Sequence, residues 1–281
     1  MYKADATDFW NLVDGILVIN LDERVDRWDA FVEHVKPHFD MTKIRRLSAT
    51  RGTGIAGFGE PPFFRGHRRD KTWAARGGCT LSHRDAIAHA KQAGWRTVLI
   101  LEDDIELTPA FTRQLSALAS ALQSRHWDIC YLGFTDPVSP SRLVASLDGE
   151  FSLQQVYGCN TAHAYLLAAH VYDWLLAELP TPDCLWPWLT RHRAIDRWYM
   201  RSISKRFDVT VVSPSIINQR AGYSDIVCRD TAIDSAHLTQ VPGKTCSRYF
   251  YPFARTARRL LFAADGLWDY FRGLYKRFNG F

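Results

Sequence analysis

Short continuous apolar runs punctuate the chain, each bounded by turn-forming residues. Ile16-Leu17-Val18-Ile19 stands between Asp14-Gly15 and Asn20 and reads as a buried strand. Residues 43–48 read as a second strand. Between the two, Trp28, Phe31, Val32 and Val35 recur at helical spacing within the charged stretch 22–36, which predicts an amphipathic helix. Val98-Leu99-Ile100-Leu101 has no polar position, as expected for a central parallel strand, and it runs directly into Glu102-Asp103-Asp104. A helix is expected to begin near Thr80 or Ser82, with a hydroxyl N-cap, and to stop at Gly94. Further helices are expected from about Pro109 to Gln123 and from Ala164 to Leu179, with strands over Ile129–Leu132 and Val209–Val212. Strands alternating with helices define an α/β class with a mainly parallel central sheet. The Gly-, Pro- and Arg-rich stretch 52–70 is a long loop, and loops of that length in compact domains are mostly functional.

The last segment has a pattern of its own. Phe253, Ala257, Leu260, Ala264, Leu267, Trp268, Phe271, Leu274 and Phe278 share one face at about 100° per residue, with the charged residues from Arg255 to Arg277 opposite. Gly266 and Gly273 interrupt this helical pattern. The chain therefore divides into a main domain over 1–235 and a basic amphipathic helical tail over 236–281. Two readings of the tail stand side by side: a helix lying on an anionic membrane surface, or one docked on the main domain or a partner.

At 281 residues, with 47% apolar and 23% charged positions, the chain can bury a sizeable core and is not disordered. Its net charge of +5 is not general. Residues 248–281 hold seven Arg and Lys against two Asp, so the excess lies in the tail and no nucleic-acid partner is expected. The six cysteines are scattered, without C-x-x-C pairs or metal-ligand spacing to histidine, which favours a reducing compartment. With no signal-peptide pattern and no spanning apolar run, a cytoplasmic location is expected, peripheral on the membrane if the tail binds lipid. Gly52-Thr53-Gly54-Ile55-Ala56-Gly57 spells a dinucleotide fingerprint, but Pro61 and Pro62 follow where a helix would have to open. His34 and His38 lack the glutamate of a zinc-protease helix and have Pro37 between them.

Three carboxylates at the end of a buried strand repel one another and are costly to bury. A divalent cation relieves that cost, and oxygen ligands suit Mg²⁺ or Mn²⁺. Alternate positions such as Glu102 and Asp104 can turn to one side and offer two ligands to one ion. The competing reading is an acidic cap for the helix that follows. Position at the carboxyl end of a parallel strand, where α/β ligands bind, favours function.

Four segments now stand in one order: V-I-N-L-D-E-R-V-D-R-W (18–28), G-G-C-T-L-S-H (77–83), L-I-L-E-D-D-I (99–105) and S-P-S-I-I-N-Q-R-A-G-Y-S-D-I (213–226). In that order they resemble glycosyltransferase family 25, which includes bacterial lipooligosaccharide and collagen galactosyltransferases; the resemblance covers roughly residues 14–227. It implies a GT-A-like fold, inversion at the anomeric carbon, and a UDP-sugar donor with galactose as first candidate. It further implies Mn²⁺ (or Mg²⁺) held by Glu102 and Asp104. Asn20, Leu21, Arg24, Arg27 and Asp103 would lie at the nucleotide-sugar, with Ser82, His83 and Cys79 matching a second signature. Ser82, or amides at a helix start, would hold a phosphate or the donor sugar. Asp196 is the first choice of base for the acceptor hydroxyl and Asp225 the second, while Gln219 and Ser224 shape the pocket. Trp186 and Trp188, flanking Pro187, are candidates either for a platform under a glycan or lipid-linked glycan acceptor or for core packing. One departure is Arg76, where the family has an acidic residue. Two alternatives remain open: a catalytically inactive glycan-binding protein on this scaffold, and an Mg²⁺-dependent nucleotidyltransferase. A glycoside hydrolase pairing Glu102 with Asp196 is a weaker third.

Overall fold

The apolar runs assemble into one sheet with both faces buried. The computed structural model describes residues 6–224, 229–231, 239–241 and 245–281. Its strands are β1 (Gly15–Asn20), β2 (Ile44–Ser48), β3 (Thr97–Glu102), β4 (Ile105–Leu107), β5 (Ile129–Ser146), β6 (Ser152–Ala168), β7 (Val209–Ser213), β8 (Ile217–Gln219), β9 (Gly222–Ser224) and β10 (Arg229–Thr231), the last two paired with each other. Its helices are α1 (Thr7–Leu12), α2 (Val25–Val35), α3 (Asp70–Gln92), α4 (Phe111–Gln123), α5 (Tyr172–Glu178), α6 (Leu185–His192), α7 (Ile195–Ser202) and α8 (Tyr251–Asn279).

The strand order is β2-β1-β3-β6-β5-β7. β1 runs parallel to β2 and β3, and β5 to β7, whereas β6 opposes each of its neighbours. Five of the six strands thus point one way, and the mixed sheet is mostly parallel around a reversed β6. The long β5–β6 hairpin folds back, so that Ser152–Val156 of β6 also flanks the far side of β7. Alternation along each strand sends Ile16, Val18, Leu99 and Leu101 to a core under α1, α2 and α4. Leu17, Ile19, Val98 and Ile100 face a second core under α3, α5 and α7. Each such fully buried aliphatic side chain contributes about 1.5–3 kcal/mol.

Three expectations change here. The stretch Ala164–Leu179 is not one helix: Ala164–Ala168 closes β6, paired with Leu101–Thr97 of β3, Ala169–Val171 is a 3₁₀ turn, and only Tyr172–Glu178 is α-helical. Its apolar run is buried on both faces of the sheet, a pattern that periodicity does not separate from a buried helix. The helix expected from Thr80 or Ser82 starts ten residues or so earlier, at Asp70, and Gly77 and Gly78 lie inside it. Asp70 Oδ2 accepts the backbone N–H of Gly66 and His67, closing the preceding turn. The tail is indeed helical, but its charged side packs on the domain. Arg255 pairs with Asp208 at 2.6 Å and donates to the Ser204 carbonyl, and Asp269 accepts from both Arg201 and Arg272. α8 packs on α6 at Gly273, which is buried against Thr190 and Arg191. The domain boundary expected at 235 lies outside the described residues.

Candidate active site

β3 delivers the acidic turn to the carboxyl end of the sheet, and a second small sheet fixes it there. β4 pairs antiparallel with β8, with Ile105 opposite Gln219, and the Arg220 N–H donates to the Asp104 carbonyl at 2.6 Å. This pairing is why the segment from 213 onward returns to Glu102-Asp103-Asp104. The helix-cap reading fails: the first turn of α4 has no side-chain cap, and the carboxylates are engaged elsewhere.

Each carboxylate has its own surroundings. Asp103 is buried and doubly held, by Asn20 Nδ2 at 2.6 Å and Arg27 at 3.0 Å. Burial pushes its carboxyl up, against those two hydrogen bonds and the Arg27 charge. Glu102 accepts from His83 Nε2 at 3.4 Å and from Gln219 Nε2 at 3.3 Å. Burial pushes Glu102 up, but His83, through its hydrogen bond and charge, and His163 and Arg27 outweigh it and hold the carboxyl below its ordinary value. His83 is fully buried; its Nδ1 lies at hydrogen-bond distance, 3.0 Å, from Tyr165 Oη, and Tyr199 Oη lies 3.4 Å further on. With Glu102 ionised, His83 donates from Nε2, and this buried chain fixes the carboxylate's direction. Asp104 is different. Its Oδ1 is buried without a hydrogen-bond partner, and its Oδ2 is 3.6 Å from Arg27. Burial, then repulsion from Glu102 and Asp103, raise its pKa to about 7 despite Arg27.

These groups open onto a cavity of about 670 Å³. Arg24, Arg27, Arg51 and Lys71 line it together with Glu102, Asp103 and Asp104, and Leu21, Ala49 and Thr50 complete the wall. A smaller hollow of about 210 Å³ adjoins it between Arg24, Asp104 and Arg220. The wall depends on glycine. A Cβ on Gly78 would stand 2.3 Å from the Thr50 carbonyl oxygen, and one on Gly52 would stand 1.8 Å from that of Ala74. Gly52 and Gly54 belong to a single turn of 3₁₀ helix, and of the two only Gly52 serves this close approach. Gly78→Ala is therefore expected to cost about 2 kcal/mol and to displace Thr50, measured as a lower melting temperature.

Of the residues picked from the sequence, Leu21, Arg24, Arg27, Ser82, His83, Glu102, Asp103, Asp104 and Gln219 all line this cavity. Asn20 does not line it: it is buried beneath Asp103, accepts from Arg46 Nε at 2.8 Å, and acts by holding Asp103. Ser82 is in mid-helix, not at a helix start; its hydroxyl donates to the Gly78 carbonyl and accepts the Thr50 N–H, both at 2.8 Å. No helix-start amides are available at that position, so the phosphate role drawn for them is withdrawn. Asp196 is half-buried in the first turn of α7 and is not among the lining residues. Burial raises its pKa, with Glu102 adding to the shift and Arg197 and Arg76 opposing it. Asp225 and the Ser224 side chain lie outside what is described. Trp186 is core, donating to the Ala56 carbonyl at 2.8 Å, and offers no platform, while Trp188 is half-buried against Trp198. Arg51 and Lys71 were missed; the only signal for them was a basic residue at each end of the Gly- and Pro-rich loop.

Among the described residues, two clusters bring ligand atoms close enough to share a metal ion: Cys79, His83 and Glu102 in the cavity, and His126, Asp128 and His170. Cys79 and His83 are one helical turn apart on α3, so the expectation that no cysteine stands at ligand spacing from a histidine fails. The second cluster is at the opposite end of the sheet, where β5 begins, and His126 and His170 both bond to Asp128 Oδ1, at 2.8 and 2.5 Å.

No family model matches the chain. Over 144 residues it is 31% identical to a "Glycosyltransferase 25 family member" of Anopheles gambiae, a match covering 47% of this chain and 24% of that protein. The chain thus spans about a quarter of the curated relative it matches, and the relationship is distant homology to a glycosyltransferase-25-like sequence. Among solved structures, the mannose-1-phosphate geranyltransferase of Thermus thermophilus overlaps 71% of this chain and 73% of its own, at 14% identity and a TM-score of 0.36. A197 from STIV overlaps 81% and 97%, at 10% identity and a TM-score of 0.38. At these TM-scores the likeness is partial.

Proposed function

We propose that the chain is a metal-dependent, inverting glycosyltransferase that moves a sugar, galactose first among candidates, from a UDP-sugar to a glycan or glycolipid acceptor. The observation that carries this is Asp104: a buried carboxylate oxygen without a partner, at the edge of a cavity lined by four cationic side chains. That orphan oxygen, the raised pKa beside it, and an all-carboxylate pair with Glu102 fit a hard divalent cation such as Mn²⁺. The distant relationship to a glycosyltransferase-25-like sequence agrees.

Such a cation, when bound, neutralises a diphosphate and the charge that grows on a departing nucleotide. The remaining work falls to the chain. Arg24, Arg27, Arg51 and Lys71 supply the positive charge that binds phosphate oxygens. Asn20 and Arg27 hold Asp103 in place, and His83, backed by Tyr165, orients Glu102. Asp196 accepts the proton of the acceptor hydroxyl as the new glycosidic bond forms; its raised pKa makes it the stronger base.

Calorimetric titration of UDP and a panel of UDP-sugars, with Mn²⁺ and then EDTA, tests the proposal. Metal-dependent binding with one sugar preferred is the expected result. Absence of binding to every UDP compound in both conditions would redirect the assignment, first to other nucleotide-sugars and then to a non-catalytic glycan-binding protein.

A further inference from the structure

The C-terminal helix is docked inside out. An amphipathic helix on a soluble domain turns its apolar stripe to the core. α8 instead turns inward Tyr251, Arg255, Asp269, Arg272 and Gly273, and spends its charges on ion pairs and carbonyls of the domain. The stripe opposite is left in water along the whole helix. Phe253 is 73% exposed, Trp268 71% and Phe278 76%, and Leu260, Leu267 and Phe271 between them are exposed as well. At 29 residues the stripe is about 40 Å long. No position within it carries a charge. Side chains of this size are costly to leave in water over so large a contiguous patch, which marks an interaction surface.

The charge around the stripe says what covers it. Arg248 is exposed at its beginning and Arg277 near its end, and exposed Lys205 and Arg206 stand beside Arg259 at its middle. At the far end Arg65 donates to the Phe278 carbonyl, bringing exposed Arg68 and Arg69 to the same edge. A second copy of this chain would set this cationic border against itself in either orientation. An anionic lipid surface complements it, and Trp268, Tyr249, Tyr270 and Tyr275 suit the headgroup boundary. Among the described residues no helix is long and apolar enough to cross a membrane, and the charged side of α8 is committed to the domain. We infer that the outward face of α8 inserts into the interface of an anionic phospholipid membrane, with the domain held above it by the helix's charged side and the cationic border set against the headgroups. This does not depend on the reaction proposed above.

Co-sedimentation of the full chain with vesicles of phosphatidylcholine, alone or mixed with phosphatidylglycerol, tests it. Binding to the mixed vesicles is expected, and Trp268→Ser with Phe271→Ser should weaken it on the order of a hundredfold, since two large rings leave the interface. Arg248→Ala with Arg277→Ala should weaken it roughly tenfold and only on anionic vesicles. Both sites are exposed, so unchanged near-ultraviolet circular dichroism is expected and certifies the fold. Equal binding by the Trp268/Phe271 variant overturns the inference, and equal binding to both vesicle types overturns its anionic part. If the parent ignores vesicles but sediments as a dimer that the Trp268/Phe271 variant loses, the face belongs to a second copy instead.

Discussion

Asp104→Ala is expected to abolish Mn²⁺-dependent binding of a UDP-sugar and to cut turnover roughly a thousandfold or more, while the metal-free protein stays at least as stable as the parent. The loss follows from removing the one carboxylate of the turn with a buried oxygen left unbonded. The retained stability follows from the same geometry, because deletion also removes a charge that burial and Glu102 and Asp103 disfavour. Full donor affinity with Mn²⁺ in the variant would sink the metal assignment, whatever its activity. The pH dependence has a definite sign. In the fold Asp104 holds its proton up to about pH 7, against an ordinary value of 3.8, so it stabilises the metal-free protein below about pH 4 and that contribution is lost as pH rises towards 7. The melting temperature of Asp104→Asn should therefore gain on that of the parent across this window. Apparent Mn²⁺ affinity of the parent should rise over the same range, because the ion displaces the proton. A difference between the two proteins that is flat with pH would show that Asp104 titrates normally.

The second large effect is structural. Asp269 is 11% exposed and joins Arg201, at 20%, to Arg272, at 13%. Removing it leaves two partly buried guanidinium groups facing each other, and breaking such a pair from one side costs about 3–5 kcal/mol. Asp269→Ala is expected to fall within that range and to free α8, seen as early proteolytic cleavage between α7 and α8 ahead of global unfolding. Asp269→Asn, which keeps an acceptor but loses the charge, should fall between the two. Single-step unfolding with an unchanged cleavage pattern would mean that the Arg255 contacts and the burial of Phe281 hold the helix without Asp269.

What could be read from the sequence divides along physical lines. β1, β3 and β7 were legible because each is a short apolar run with turn residues at both ends. β6 was not, since its Tyr165-Leu166-Leu167 is buried on both faces of the sheet and continues into a true helix at Tyr172. The early start of α3 was hidden by Gly77-Gly78, which propensity reads as a break. Contact explains them: the Thr50 carbonyl leaves no room for a side chain on Gly78, and Leu185 and Trp186 pack tightly against Gly77.

The site follows the same rule. The acidic turn, Arg24 and Arg27 were legible because they adjoin strand ends, where chain order nearly specifies place. Arg51 and Lys71 reach the cavity only when the long loop closes over it, and no local pattern encodes that closure. Asn20 was picked as a ligand contact, but packing sets it a step behind, as a support of Asp103, whereas His83 both lines the cavity and supports Glu102. In the tail both faces were legible and their use was not. Spacing says which residues share a side of a helix, and leaves open which side the domain will claim.

β2 forms the outer edge of the sheet, and its pattern is unlike that of any inner strand: Arg45 and Arg46 are both exposed on it. A bare edge is a template on which another chain's strand can pair, and paired arginines on such an edge discourage that association. Arg46 also bonds Asn20, which bonds Asp103. Protection against aggregation and placement of a site carboxylate therefore share one side chain. A chain engineered for stronger β-propensity at position 46 would become stickier at its edge and looser at its centre by the same substitution.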